Sequence, residues 1–458
     1  MRTPERPGLQ HTASSSFDDR IKRGRAARDR ADWAGIAQVS TSHRDPMGIL
    51  TQQNANRVQS LVPLRTERMS VSPFTFYRGT AALMAADLAR TADSGILVAS
   101  CGDAHVSNFG FYASPQRSLV FDLNDFDEAA WAPWEWDLKR LVASIIIAGQ
   151  ATSRDKGVVR KTAGETITAY LDALRGALAT SPTERYFAHF DAEQHTQGLD
   201  KGSREVLKDA IGDAERRTGD RAVRKLTSEG EDGHRRFLAR PPVLTPIDRA
   251  TASQLTDDLK QYRDSASEDI HLLMEHYGLA DIAQRVVGVG SVGTRCYLAL
   301  FEDGDGHHLI LQVKEAMQSV VQQYGGIAQP DSLQEIITAR GEGARVVGLQ
   351  RVLQGLSDPF LGYIDREQRG YYVRQFHDMK GSIDMDTLKD KPFRRYGVAC
   401  GRVLARAHSQ SPTAAQILGF AGRGGKLTEA IMSWAVDYAK LSRADFDLLT
   451  APDHRAGA

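Results

Sequence analysis

Two segments far apart in the chain constrain its fold more than any other feature, because each sets groups that are costly to bury beside strand-like runs. The first is Cys101-Gly-Asp-Ala-His-Val-Ser-Asn108, followed by Phe121-Asp-Leu-Asn-Asp-Phe-Asp-Glu128. Its carboxylates and amides lie at the ends of apolar stretches, where they need donors or a cation to be tolerated. The second is Gly288-Val-Gly-Ser-Val-Gly293, which runs into Thr294-Arg-Cys-Tyr-Leu-Ala-Leu-Phe301 and then Leu311-Gln-Val-Lys314. A Gly-x-Gly-x-x-Gly turn that opens a helix marks a dinucleotide-binding unit. Here the glycines lead into an extended run instead. The expected unit is strand, glycine loop, strand, with Lys314 at the end of the next strand.

That context gives each segment a chemistry. A strand ending in Gly-Asp, with Asn five positions after the Asp, is the arrangement by which a kinase catalytic loop sets a carboxylate at the substrate hydroxyl and an amide on Mg²⁺. Asp103 and Asn108 fill those places. A hairpin then returns the chain to the same edge, where a further carboxylate must meet the metal. Asp122, at the end of the Leu-Val-Phe strand, is the first choice, and Asp125, in Asp-Phe-Asp, competes with it. Mg²⁺ prefers oxygen ligands and keeps waters, so an Asn with one or two Asp residues suffices. His105 is expected to hold the loop, and Asp137 either caps the helix it begins or braces the catalytic loop.

In the second segment, a loop formed by Gly288, Gly290 and Gly293 would cover phosphates and Lys314 would contact them. Such a lysine needs a carboxylate from a following helix to orient it. Glu342 is best placed and Glu335 second, whereas Glu315 leaves the same strand in the wrong direction.

At 458 residues, the chain exceeds the size at which one core usually keeps growing, so two lobes are expected. Lys and Arg number 58 against 58 Asp and Glu, which gives no bulk reason to expect nucleic acid or an anionic membrane as partner. The three cysteines are scattered and form no C-x-x-C pair, which fits a reducing cytoplasm. No apolar stretch approaches the ~20 residues of a membrane span, and no apolar signal core precedes the polar N-terminus. Membrane insertion and secretion are therefore not expected.

Along the chain, residues 1–40 read as a flexible arm and 41–180 as a catalytic portion. Within it, 45–68 is a short helical lead-in, Ser72-Pro73 starts a new unit, and 136–150 and 159–178 are strong helices. Residues 181–285 are charged and read as a helical connector. Residues 286–380 form a β-rich portion around a long helix at 333–355, and 381–458 return to helices at 395–408 and 426–441.

The chain resembles a large bacterial family catalogued as a domain of unknown function. The likeness covers nearly all of 40–445 and rests on Ser72-Pro-Phe-Thr-Phe-Tyr-Arg-Gly79, Gly102 to Gly110, Phe121 to Glu128, Trp134-Glu-Trp-Asp-Leu-Lys-Arg-Leu141, Gly288 to Arg295 and Gln312-Val-Lys-Glu-Ala316. More distantly, Gly102–Asn108 and Asp125–Leu141 are similar to the aminoglycoside phosphotransferase branch of the kinase-like superfamily, with Cys101 standing where that branch has His. The resemblance implies ATP, Mg²⁺ and phosphoryl transfer to a hydroxyl on a small molecule or protein.

In kinases the glycine loop comes first, and here it comes last. The fold expected is therefore α+β, two-lobed, kinase-like and circularly permuted, with the helix Tyr396–His408 in the place that precedes the catalytic loop in those phosphotransferases. Tyr77, Arg78, Trp131, Trp134 and Trp136 are candidates to line an acceptor pocket. Two alternatives stand beside transfer of phosphate: nucleotide binding or nucleotidyl transfer at the same site, and a metal-dependent hydrolase built on Asp103, His105 and the 122–127 carboxylates.

Overall fold

The computed structural model describes residues 15–191, 200–231, 233–366, 369–376, 381 and 383–452. It is a mixed α+β protein. Six helices open the chain: α1 (Phe17–Ala26), α2 (Trp33–Ala37), α3 (Pro46–Ala55), α4 (Val62–Met69), α5 (Pro73–Arg78) and α6 (Ala81–Leu88). Proline at the first turn and a capping box between Ser72 and Thr75 start α5.

The stretch expected as a flexible arm is helical from residue 17 and docked. Ser16 caps α1, and Gly24 and Gly419 let it lie against the helix Ala414–Ala421. A Cβ on Gly24 would fall 1.9 Å from the Gln416 carbonyl oxygen. Arg28 adds hydrogen bonds to the Phe420 and Gly419 carbonyls at 2.7 and 2.8 Å. Contact through glycines and arginine-to-carbonyl bonds leaves no apolar stripe in the sequence, which is why this segment reads as an arm.

Next come β1 (Leu97–Ser100), the antiparallel hairpin β2 (Phe109–Ala113) and β3 (Leu119–Leu123), and β4 (Ala130–Pro133), which pairs antiparallel with β1. Helix α7 (Trp134–Ala151) is buried almost all round, as its apolar sequence requires, and α8 (Lys156–Leu178) follows it.

The connector holds α9 (Pro182–Phe187), α10 (Lys201–Glu215), α11 (Gly219–Leu226), the hairpin β5 (Thr227–Glu229) and β6 (Arg235–Phe237), β7 (Leu244–Pro246), α12 (Arg249–Ser265) and α13 (Glu268–Met274). It ends in a strand rather than a helix, β8 (Gly278–Arg285). Alanine, glutamine and arginine favour helix locally, and pairing with the next strand overrides that preference.

The remaining elements are β9 (Cys296–Glu302), β10 (His308–Ala316), α14 (Val320–Gln323), α15 (Asp331–Leu353), β11 (Gly362–Ile364), β12 (Gly370–Gln375), α16 (Asp390–His408), α17 (Ala414–Ala421) and α18 (Gly425–Thr450). An antiparallel six-stranded sheet runs β11-β12-β10-β9-β8-β7. Residues alternate between its faces. Tyr297, Phe301, Leu311 and Val373 pack on α12 and α13. Leu298, Leu300 and Ile310 pack on α11 and Phe237.

One core joins both chain ends, from Ala31 to Leu174 and from Met385 to Ala439. Within it α16 lies close along α8, with Gly401 facing the Thr166 carbonyl; a Cβ there would come within 2.6 Å of it. Among the described residues, no helix is long and apolar enough to cross a membrane.

Replacing Gly24 with valine should separate α1 from α17 at a cost of about 1–3 kcal/mol. Urea unfolding and trypsin cleavage within Phe17–Ala26 measure this. Unchanged stability and unchanged cleavage would contradict the docking described.

Candidate active site

Strand β1 delivers the chain to Gly102, whose φ of +74° suits glycine and whose Cβ, if present, would lie 2.1 Å from the Glu128 carbonyl oxygen. The loop is then held from α7. Asp137 accepts hydrogen bonds from the Cys101 amide at 2.9 Å and the Gly102 amide at 3.1 Å, and it meets His408 Nε2 at 3.3 Å. Burial pushes the Asp137 carboxyl up, but His408, Ser100 and the Cys101 amide more than offset this and hold it below the ordinary value. Of the two roles expected for Asp137, it braces the loop. The last residue of α16 thus meets the first turn of α7 beneath Gly102.

Asn108 donates to the Asp103 carbonyl at 2.7 Å, which closes the loop. The Asp103 carboxylate accepts from Arg140 Nε at 2.8 Å. Arg140 is itself fixed by its 2.8 Å bond to the Tyr77 carbonyl and by the Tyr77 ring, whose centroid lies 4.0 Å from the guanidinium carbon. Burial raises the Asp103 carboxyl above its ordinary value against the pull of Arg140. His105 Nε2 lies 3.7 Å from Asp103, and burial, with Arg140 and Arg78 adding to it, keeps that imidazole neutral.

The hairpin brings the acidic turn back to this edge. Asp122 does not reach the cavity: it is 1% exposed, and its oxygens accept from the Leu123 amide at 2.8 Å and the Gly355 amide at 2.7 Å. It fastens the hairpin to the end of α15. Asp125, Asp127 and Glu128, in the turn that follows, border the cavity. Lys314, 2% exposed at the end of β10, forms an ion pair with Asp127 and lies 3.8 Å from Asp125. Burial alone would depress the ammonium, but the two carboxylates outweigh it and hold the lysine charged. Tyr372 on β12 donates to the other Asp127 oxygen at 2.6 Å.

Glu342 pairs with the fully buried Arg345, which also donates to the Asp127 and Met317 carbonyls at 3.0 and 2.8 Å. Among the described residues, the carboxylates within 4.0 Å of Lys314 are Asp125 and Asp127. Glu335 is exposed, and Glu315 borders the cavity while paired with Arg295 at 3.1 Å.

The glycine loop lines the cavity through Gly290 and Ser291 and is tied to the N-terminal helices. Arg68 donates to the Gly288 carbonyl at 2.7 Å, the Val58 amide to Gly293 at 2.8 Å and Arg57 to Val292 at 2.5 Å. Gly288 and Gly293 take φ of +65° and +89°. Gly290 lies against α5, where a Cβ would sit 3.3 Å from the Arg78 carbonyl oxygen.

The cavity volume is about 70 Å³, and the cavity is partly open to solvent. Asp103, Asn108, Asp125 and Asp127 line it together with Arg57, Arg78, Gly290 and Ser291. Of the expected acceptor-pocket residues, Arg78 is there; Tyr77 and the three tryptophans are not among the lining residues. Trp134 instead stacks on Tyr170 in the core. Sequence reasoning passed over Arg57, which lies in no quoted motif, and over Asp127, Glu128 and Arg140, which sit inside quoted motifs without being assigned a role of their own.

Among the described residues, no three His, Cys, Asp or Glu side chains converge to hold a metal on their own. Asn108 and Asp125 together offer hard oxygen ligands of the kind Mg²⁺ shares with phosphates.

The chain belongs to the family described as uncharacterized protein conserved in bacteria (DUF2252), whose model matches residues 57–451. The match begins at Arg57 and spans both segments of the cavity. No curated protein and no solved structure matches the chain.

Burial pushes the Glu128 carboxyl up to about 7, although it accepts a 2.7 Å bond from the Val320 amide. Between pH 4.5 and 7 the unfolded chain therefore releases this proton before the folded one does, so ionising Glu128 lowers stability as pH rises. Glu128→Gln should remove that part of the slope and exceed wild type in stability above pH 7. Urea midpoints across pH 4–8 test this; parallel profiles for the two proteins would refute it.

Proposed function

We propose that this member of the DUF2252 family is an ATP- and Mg²⁺-dependent phosphotransferase of kinase-like, circularly permuted architecture, acting on a hydroxyl acceptor. The observation that carries the reading is the meeting of Lys314 with Asp125 and Asp127 beside Asp103 and Asn108, under a glycine loop from the same sheet as the lysine. The sheet supports it too. A glycine loop between β8 and β9, the lysine on β10, helix α15 after it and the order β11-β12-β10-β9-β8 are what a kinase-type nucleotide lobe needs.

In this reading Lys314 and the loop of Gly288, Gly290 and Gly293 hold phosphates, and Asn108 with Asp125 holds Mg²⁺, which neutralises charge on the transferring group. Asp122, bonded to Leu123 and Gly355, has no part in metal binding. Asp127 keeps Lys314 charged and aimed, a task that the sequence assigned to Glu342. Asp103 accepts or orients the acceptor's hydroxyl proton, with Arg140 setting its carboxylate. Catalysis is then chiefly positioning and charge neutralisation. A cavity of about 70 Å³ is far below the ~300–1,000 Å³ of a pocket for a drug-sized ligand, so in this reading it takes the phosphate end of the nucleotide rather than the whole molecule.

Calorimetry with Mg²⁺ and ATP should show saturable binding that Lys314→Ala and Asp125→Asn abolish and Asp122→Asn retains. Asp103→Asn should keep nucleotide binding and lose transfer by about 10²-fold or more. If the folded wild type bound no ATP with or without Mg²⁺, the reading would fall and a metal-dependent hydrolase would replace it.

A further inference from the structure

Two arginines that the proposed chemistry does not use line the same cavity as the carboxylates. Arg57 follows α3, is 7% exposed and lines the cavity. Its Nη1 is occupied by the Val292 carbonyl, and its buried Nε has no hydrogen-bond partner among the described residues. Arg78 ends α5, lines the same cavity, and its buried Nε likewise lacks a partner. Neither arginine lies within 4.0 Å of a carboxylate among the described residues, whereas Asp103 is paired with Arg140 and Asp127 with Lys314.

Buried N–H groups left unbonded are costly, and two guanidinium groups at one small cavity call for an acceptor-rich ligand of opposite charge. The guanidinium fork matches phosphate oxygens. The volume of about 70 Å³ suits a group of the size of a tetrahedral oxyanion rather than a whole nucleotide. In the same cavity, Asn108 and Asp125 offer the oxygens that suit a divalent cation, which would share such an anion's charge.

We propose that Arg57 and Arg78 form a phosphate clamp in the cavity that they share with Asp103 and Asp125. The phosphate it takes is either the terminal phosphoryl group of a nucleotide or a phosphate carried by the acceptor. The clamp rests on the phosphotransferase reading for its purpose but not for its chemistry. It also gives the N-terminal helices a function: they hold the glycine loop down through Arg57, Val58 and Arg68 and present these two arginines to the same cavity.

The test is calorimetric titration of inorganic phosphate, with and without Mg²⁺, into the full chain and its Arg57→Met and Arg78→Met variants. Saturable binding weakened at least tenfold by each substitution is expected. Because Arg57 also fastens the glycine loop, Arg78→Met decides the matter if Arg57→Met unfolds. No saturable phosphate binding to wild type, or equal affinity in wild type and Arg78→Met, overturns the clamp.

Repeating the titration with saturating Mg²⁺ and a non-hydrolysable ATP analogue, whose terminal phosphate fills the nucleotide position, separates the two sources. Phosphate binding that persists assigns the clamp to the acceptor. Binding that disappears, together with ATP affinity reduced in Arg78→Met and ADP affinity unchanged, assigns it to the nucleotide. Arginine-dependent phosphate binding without any ATP binding keeps the clamp and refutes the phosphotransferase reading. ATP binding without arginine-dependent phosphate binding does the reverse.

Discussion

The contact on which the rest of the site depends is the buried pairing of Lys314 with Asp125 and Asp127. An ammonium that is 2% exposed is not tolerated alone, and carboxylates crowded into one turn repel one another. Each makes the other's burial possible. Removing one partner of such a pair typically costs ~3–5 kcal/mol, and the lower end applies here because Asp127 keeps some contact with solvent. The pairing also joins strand β10 to the turn after β3, so the sheet and the helical core cannot be positioned independently.

A second constraint works from below. Asp137, at the start of α7, holds the Gly102 turn by two backbone amides and is held in turn by His408 at the end of α16. The core that contains both helices takes residues from near the two ends of the chain. Order along the polypeptide therefore matters little to this site. A glycine loop late in the sequence packs over a carboxylate loop early in it, as the proposed permuted architecture requires.

Much of this was legible beforehand, and the misses have physical causes. The helices at 134–151 and 156–178 and the hairpin of β2 and β3 follow from periodicity and turn residues. Asp103, Asn108, Asp125 and the glycine loop were singled out by spacing, and Asp103, Asn108, Asp125 and Gly290 line one cavity. Asp122 was chosen first because it ends a strand, but the Gly355 amide, contributed by a distant helix end, captures its carboxylate. Glu342 was chosen because it lies on the following helix, yet Arg345 three residues on takes it. Gly341, at φ 74° and ψ 176°, breaks that helix just before Glu342, a kink that no helix pattern announces. The β8 strand and the docking of α1 depend on partners distant in sequence, and Arg57 belongs to no motif.

The most direct test of the central claim, that the two segments form one nucleotide site, is amide hydrogen exchange with and without Mg²⁺ and ATP. The account predicts slowed exchange in 101–108, 121–128 and 288–295 together, at the same nucleotide concentration. Protection of the glycine loop alone, of the acidic turn alone, or of neither would contradict it.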